Sequence, residues 1–248
     1  MSDDDLASSW TNDSDVDDWV DGPSLPHREP DPELIKAYYT AYIGLLRGSS
    51  SRRAIPPELV LYICRLAEFE CWYTKRAPKG HSRVYASNAN VRSLIWIQTE
   101  PFTKEMLTRV KDVRLITMSH HQGWVGDRNA GSWSWFELQL ARPIGHMEVK
   151  RRPDGGEMSW CCLEHPVDEE TAHGQGDFAE HKGSAFDSNH ELWNLIEEGD
   201  VLQVVMKAQF GGWSNTASDG ILIISTWWEP SFEMLRLMDR NNGYIQSQ

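Results

Sequence analysis

The sequence predicts a mainly β protein, in which an antiparallel β-sandwich follows a short helical segment and a disordered acidic leader. From about residue 82 onward, β-branched and aromatic residues cluster in short runs with a period close to two, which is typical of strands. Gly, Pro, Asp and Asn separate these runs. No long helical pattern lies between them, whereas a parallel sheet needs helical crossovers of a dozen or more residues.

The acidic leader spans residues 1–32. Residues 1–33 contain eleven Asp or Glu and one basic residue, Arg28, which gives −10 of the net charge of −13 carried by the 248 residues. Apolar residues are sparse here, so their burial cannot offset the entropy that the backbone loses on ordering, and we predict disorder. The acidic charge disfavours binding to nucleic acid and to anionic membranes, so we expect neither as a partner.

The cysteines indicate a reducing compartment. Two of the four, Cys161 and Cys162, are adjacent and bridge poorly, and the other two lie seven residues apart on one predicted helix. The first residues, Met-Ser-Asp-Asp-Asp, lack the basic and apolar regions of a signal peptide, and no apolar stretch approaches the roughly 18 residues of a membrane span. We therefore expect a soluble cytoplasmic protein, and a nuclear location is also compatible with the sequence.

Residues 33–81 are predicted to be helical. A first helix covers 33–47, with acid at its start, Arg at its end and apolar residues at helical spacing: Leu34, Tyr38, Tyr42 and Leu45. A second amphipathic helix begins near Pro57, because proline suits the first turn. Its apolar residues fall on one face: Leu59, Ile63, Leu66 and Ala67.

The sandwich is predicted to span residues 82–230, and residues 231–248 form a tail or a short helix. Candidate strands cover 91–99, 113–119, 132–140, 146–151, 157–163, 200–210 and 221–228. Short helical turns are predicted at 191–197 and 232–240. In strand 200–210 one alternating set is wholly apolar and should face the core: Leu202, Val204, Met206 and Ala208.

Two glycine-containing segments are candidates for a ligand site. Residues 119–124 and 211–215 each follow or end a strand and combine an indole with polar side chains, and loops at a sandwich end commonly carry binding sites. An aromatic plane beside amide and carboxylate groups suits a sugar or another small polar ligand. The alternative is that these groups only join the loops to one another. The candidate ligand-binding residues are His121, Gln122, Trp124, Asp127, Trp213 and Asn215.

Twelve tryptophans are a further feature, and nine of them fall in the β-rich region from residue 82 to residue 230. Alternation places Trp133 and Trp135 on one face of their strand and Phe136 on the other. We predict that the two indoles form a buried stack, because large aromatic side chains usually fill sandwich cores. The alternative is an exposed aromatic platform.

No motif for metal, cofactor or catalytic chemistry is recognised. Cys161, Cys162 and His165 lie close in the sequence, and His173 and His181 follow, but adjacent cysteines on a strand point to opposite faces and the paired spacing of zinc sites is absent. The GxSxG, GxxxxGK[ST], HExxH and GxGxxG patterns are absent as well. We therefore predict that the chain binds no metal or cofactor and is not an enzyme. An enzyme that uses His120, His121 and Asp127 remains an alternative.

One segment resembles the opening of an F-box. Residues 55–67 read Ile-Pro-Pro-Glu-Leu followed by an apolar helix, close to the usual Leu-Pro-x-Glu-Leu pattern over about fifteen residues. The resemblance implies docking on the Skp1-type adaptor of a ubiquitin ligase through Ile55, Pro57, Leu59 and Ile63. Proline before Glu-Leu at a helix start also arises from ordinary capping chemistry.

The β-rich region is similar to an uncharacterised fungal family that pairs an F-box-like segment with a tryptophan-rich β domain. Three blocks carry the similarity in order, at residues 119–124, 131–137 and 199–215. The family looks like galactose-binding-type jelly rolls, so the resemblance implies a jelly-roll-like sandwich. Members of the family often have Asp at the position of His121. Any ligand contact or hydrogen bond that depends on that Asp is therefore in doubt for this chain.

The leading hypothesis from the sequence is therefore a noncatalytic binding module for a carbohydrate or a protein target. The alternative is an F-box-like substrate adaptor.

Overall fold

The computed structural model describes residues 24–26, 30–122, 131–167 and 177–236. The predicted mainly β sandwich is confirmed, because the strands form two antiparallel sheets and helices are few. The helices are α1 (Pro32–Arg47), α2 (Pro57–Leu66), α3 (Lys104–Arg109) and α4 (Leu192–Leu195). Residues 232–236 are helical as well.

The described residues contain eleven strands. In chain order these are β1 (Glu70–Arg76), β2 (Ser82–Tyr85), β3 (Arg92–Gln98), β4 (Val110–His121), β5 (Ser134–Ile144), β6 (His146–Val149), β7 (Ser159–Glu164), β8 (Ala179–Lys182), β9 (Phe186–Asp187), β10 (Val201–Ala208) and β11 (Ser214–Trp227). Sheet one runs β1-β11-β4-β8, with β2 also on β11 and β9 also on β4. Sheet two runs β3-β10-β5-β6, with β7 also on β5.

The strand pairs are nested as in a jelly roll. The first strands, β1 and β2, pair with the last strand, β11, and β3 pairs with β10. Further inward along the chain, β4 pairs with β8 and β9, and β5 pairs with β6 and β7. Antiparallel pairs that enclose one another in this way wrap into two packed sheets, which is the jelly-roll arrangement.

The main core lies between the two sheets. The predicted inner face of β10 is confirmed, because Leu202, Val204, Met206 and Ala208 have no exposed surface. They belong to one cluster with Leu115 of β4 and other inward side chains. Trp96 of β3 reaches across to β11, where a side chain on Gly220 would lie 2.2 Å from the indole. Only glycine fits there.

The two N-terminal helices pack on the sandwich rather than apart from it. In α1, Asp31 accepts a hydrogen bond from the backbone N–H of Glu33 and so caps the helix. Tyr38 and Tyr42 of α1, and Val60 and Cys64 of α2, form a second buried cluster around Trp228. Trp228 follows directly on β11, so this cluster is continuous with sheet one.

Several predicted assignments are wrong in detail. The segment Glu70–Arg76 is strand β1, although residues 33–81 were predicted to be helical. Helix α3 lies between two of the predicted strands and was not predicted. The short strands β8 and β9 were not predicted. The predicted disorder of the leader concerns residues outside the described ones, except at 24–26 and 30–32, and Leu25 is buried at 5% exposure. No helix among the described residues is long and apolar enough to cross a membrane.

Candidate functional site

The candidate site lies where the end of β4 meets the start of β11. His121 and Asn215 are direct partners in the antiparallel ladder. Gln122 follows His121, and its side-chain oxygen accepts a hydrogen bond from the backbone N–H of Ser214 at 3.4 Å. The structure therefore brings together four of the six predicted residues: His121, Gln122, Trp213 and Asn215. The other two, Trp124 and Asp127, lie outside the described residues.

Asn215 joins the two sheets at this end. Its side-chain nitrogen donates to the backbone oxygen of Trp135 in β5 at 2.8 Å, and it lies 3.4 Å from the backbone oxygen of Lys207 in β10. Its side-chain oxygen is buried and has no hydrogen-bond partner among the described residues. A buried acceptor without a partner costs free energy, so a donor supplied by a ligand or water would be favourable here.

Trp213 provides the aromatic surface of the site. The indole is only partly buried, and its ring centre lies 6.0 Å from that of His121. His121 itself is buried and points between the sheets, where its ring also lies 6.2 Å from that of His165. The site thus has a partly exposed indole in front of a buried polar layer.

His165 is a member of this polar layer that the sequence analysis did not place in the site. Its Nδ1 is hydrogen-bonded to the hydroxyl of Ser134 in β5 at 2.5 Å, and its Nε2 to the hydroxyl of Ser119 in β4 at 2.9 Å. The imidazole therefore bridges sheet two and sheet one. No local motif marks this histidine, because both partners are distant in the sequence and meet only in the folded chain.

The environment of His165 keeps the imidazole neutral. Burial, and then the neighbouring His181 and His121, lower its pKa from 6.5 to about 3. A neutral imidazole has one donor and one acceptor nitrogen, which matches one hydroxyl on each side. The layer is thus a satisfied polar connection within the sandwich.

His120 and His121, which the enzyme alternative places in one site, point to opposite faces of β4. Successive strand residues alternate between faces. The His121 ring contacts Trp213 and His165, whereas the His120 ring packs edge-on against Phe178 at 4.7 Å. The structure does not bring the two imidazoles together.

The cysteine and histidine residues near the end of β7 do not form a cluster. Cys161 is exposed, and Cys162 is buried on the opposite face, where burial raises the pKa of its thiol. His173 lies outside the described residues. Among those that are described, no group of three or more His, Cys, Asp or Glu is arranged to hold a metal ion.

The predicted burial of Trp133 and Trp135 is wrong. Both are partly exposed, and Phe136 on the other face of β5 is the buried residue. The Trp135 indole donates to Glu137 at 2.7 Å, and Glu137 also pairs with Lys207 at 2.7 Å. Burial raises the pKa of Glu137, but hydrogen bonds from Lys207, Ser159 and Trp135 outweigh it and hold that pKa below its usual value.

The predicted docking helix exposes an apolar surface. On α2, Val60 and Cys64 face the core, while the opposite side carries Leu59, Tyr62, Ile63 and Leu66, of which Leu59, Tyr62 and Leu66 are 55–67% exposed. Pro57 is exposed at the start of this helix, and Ile55 is partly buried against the second cluster. We call Leu59, Tyr62, Ile63 and Leu66 the α2 surface.

No protein-family model matches this chain, and no curated protein matches its sequence.

Proposed function

We propose that the chain is a noncatalytic binding protein and that its sandwich binds a carbohydrate at the end formed by His121, Gln122, Trp213 and Asn215. The observation that carries this proposal is the partly exposed Trp213 indole beside His121. The resemblance to galactose-binding-type jelly rolls and to the fungal family supports the same function, and the nested strand order is compatible with it. No cofactor is required.

Carbohydrate is the ligand class that this chemistry favours. The apolar face of a sugar ring stacks on an indole, while sugar hydroxyls need donors and acceptors at fixed positions. The Asn215 oxygen is buried and has no partner among the described residues, so it would take part through a bridging water rather than by direct contact with the sugar. The amide of Gln122 stands at the same end and adds a second polar group.

The test is a glycan array on the full chain, followed by tryptophan fluorescence titration with each sugar that binds. Stacking on Trp213 should quench its fluorescence, and Trp213→Ala should remove both the quenching and most of the binding. Trp227→Ala is the matched control, because Trp227 lies at the other end of β11, about 45 Å away at the rise of an extended strand. It should bind as the unchanged protein does.

Equal loss of binding in both variants would contradict this site. Binding that survives Trp213→Ala would do so as well. If no glycan binds, a pull-down with the same two variants tests whether the site takes a protein target instead.

We propose as a second candidate that the chain is a substrate adaptor, in which the α2 surface docks on a Skp1-type adaptor. The exposed apolar side chains of this helix favour it, because four large apolar residues along one helix face suit a partner's groove. The resemblance of residues 55–67 to an F-box names the partner. The predicted docking residues are Ile55, Pro57, Leu59 and Ile63.

The test of the adaptor role is co-purification with a Skp1-type adaptor. Leu59→Lys should abolish it, because an unpaired charge would then be buried within the apolar contact. Ile95→Lys is the control, since Ile95 is similarly exposed, at 51%, but lies on β3 of the sandwich. Retention of the complex by Leu59→Lys would rule out this docking.

A further inference from the structure

The outer face of sheet one holds Leu25 of the acidic leader in a formed site. The Leu25 side chain is buried in a cluster with Ile116 of β4 and Ile221 of β11, and Met118 and Ile223 pack against it. We call these four sheet residues the leucine pocket. Residues 24–26 are thus bound to the sandwich although most of the leader is polar.

Both backbone polar groups of Leu25 are recognised as well. Its N–H donates to the Asp219 carboxylate at 2.7 Å, and its carbonyl oxygen accepts from the Arg76 guanidinium at 2.7 Å. Arg76 and Asp219 are paired with each other, with Nε to Oδ1 at 3.1 Å. A donor and an acceptor are therefore held side by side, at the spacing of one extended residue.

A break in the β11 ladder creates this site. Ala217 belongs to the inner core, so regular alternation would also turn Asp219 inward. The register between β11 and β4 shifts between Ala217 and Asp219, and such a bulge re-aims the side chains that follow it. Asp219 consequently lies on the outer face, where it is 6% exposed and satisfied by Arg76, Leu25 and the N–H of Gly220.

The bound segment suits the site by its own chemistry. Leu25 precedes Pro26, which restricts it to an extended conformation. Pro26 has no N–H, so the residue after Leu25 leaves no further backbone donor that would need a partner in the site. Nothing in the contacts depends on the covalent link between Leu25 and α1.

We propose that the leucine pocket with Arg76 and Asp219 is a peptide-binding site for an extended, leucine-containing segment, and that residues 24–26 of this chain occupy it as an exchangeable intramolecular ligand. Six residues separate Leu25 from Pro32 at the start of α1, a span of at most about 25 Å. So short a tether gives the segment a high effective concentration, and a separate peptide binds well only when the segment is displaced.

The test uses the full chain with Leu25→Asp, which vacates the pocket, and a fluorescein-labelled peptide of residues 20–30, Val-Asp-Gly-Pro-Ser-Leu-Pro-His-Arg-Glu-Pro. Fluorescence anisotropy should show binding to Leu25→Asp that is at least about tenfold tighter than binding to the unchanged chain. Adding Arg76→Met should weaken it about tenfold, because the carbonyl of the peptide loses its donor. Adding Arg83→Met, on neighbouring β2, should leave it unchanged.

Equal binding to the unchanged and Leu25→Asp chains would overturn the proposal, and so would equal effects of Arg76→Met and Arg83→Met. Absence of binding to a Leu25→Asp chain that melts as the unchanged protein does would overturn it too. If Leu25→Asp does not fold, amide hydrogen exchange of Leu25 in the unchanged chain decides. Slow exchange of the Leu25 amide that becomes fast in Arg76→Met supports the site. Exchange of this amide in the unchanged chain as fast as in a free peptide refutes it.

Discussion

At the scale of single residues, His165 makes the stability of the fold depend on pH. Its pKa is about 3 in the folded protein and near 6.5 in an unfolded chain. Between about pH 6.5 and pH 3, His165 is therefore protonated in the unfolded chain and neutral in the folded protein. The free energy of unfolding that the neutral His165 contributes is fully present above pH 6.5 and is lost as the pH falls toward 3. At about pH 5 the free energy of unfolding is lower by about 2 kcal/mol for this reason.

Urea unfolding of the unchanged protein and of His165→Gln at about pH 7.5 and about pH 5 measures this contribution. The glutamine variant should be less stable at the higher pH, because it replaces the bridge between Ser119 and Ser134 imperfectly. Its stability should fall less between the two conditions, since it cannot take up the proton. An equal fall in both proteins would assign the pH dependence to other groups.

Residues on β5 show what the sequence could and could not predict at this scale. Alternation correctly separated Trp135 from Phe136, but the size of the indoles led to the wrong choice of inner face. The polar neighbours decide it, because Glu137 shares the face of Trp135 and Leu138 shares that of Phe136. His165 was not predictable, since its two serine partners lie 31 and 46 residues away in the sequence.

At the scale of elements, β10 is the strand on which the sandwich core depends. Val204 has no exposed surface and packs in the main cluster. Val204→Asp places a charge there without a partner, which the core cannot solvate, so we expect loss of the folded state. Circular dichroism and urea unfolding measure it.

Leu94→Asp is the control for that substitution. Leu94 of the neighbouring strand β3 pairs with Met206 but is 41% exposed, so water can solvate the new charge and the protein should remain folded. A soluble Val204→Asp protein that melts cooperatively would refute the inner face assigned to β10.

The elements that the sequence missed are those without a strong local pattern. Strand β1 has a polar, half-exposed sequence, and β8 and β9 are only four and two residues long. They are strands because long neighbours offer hydrogen-bonding edges: β11 pairs with β1, and β4 with the other two. The six-residue helix α3 also lacks a strong local pattern, because its only clear signal is the Thr103 side chain that caps its start. The long amphipathic and strongly alternating elements were predicted.

At the scale of the whole molecule, the sequence predicted which residues would meet but not how the helices attach. His121 and Asn215 are adjacent because β4 and β11 pair in antiparallel register. The two glycine-containing segments that carry them were chosen from the sequence as one candidate site. The helices were predicted as a separate segment. In the structure they share a buried cluster with the sandwich, in which Trp228 contacts rings of α1 and the ring of Phe69, which directly precedes β1.

The packing of Trp228 should therefore determine how firmly α1 and α2 are held on the sandwich. Its indole lies edge-on to Tyr39 at 5.0 Å, Tyr42 at 5.7 Å and Phe69 at 6.0 Å, and its backbone N–H donates to Phe69. Trp228→Ala removes this shared packing and should cost about 3–5 kcal/mol. Hydrogen exchange should show a larger loss of protection in α1 and α2 than in β10, since β10 contributes to the other cluster. The neighbouring Trp227→Ala, a partly exposed position, should change little, and equal behaviour of the two variants would mean that the helices do not depend on this contact.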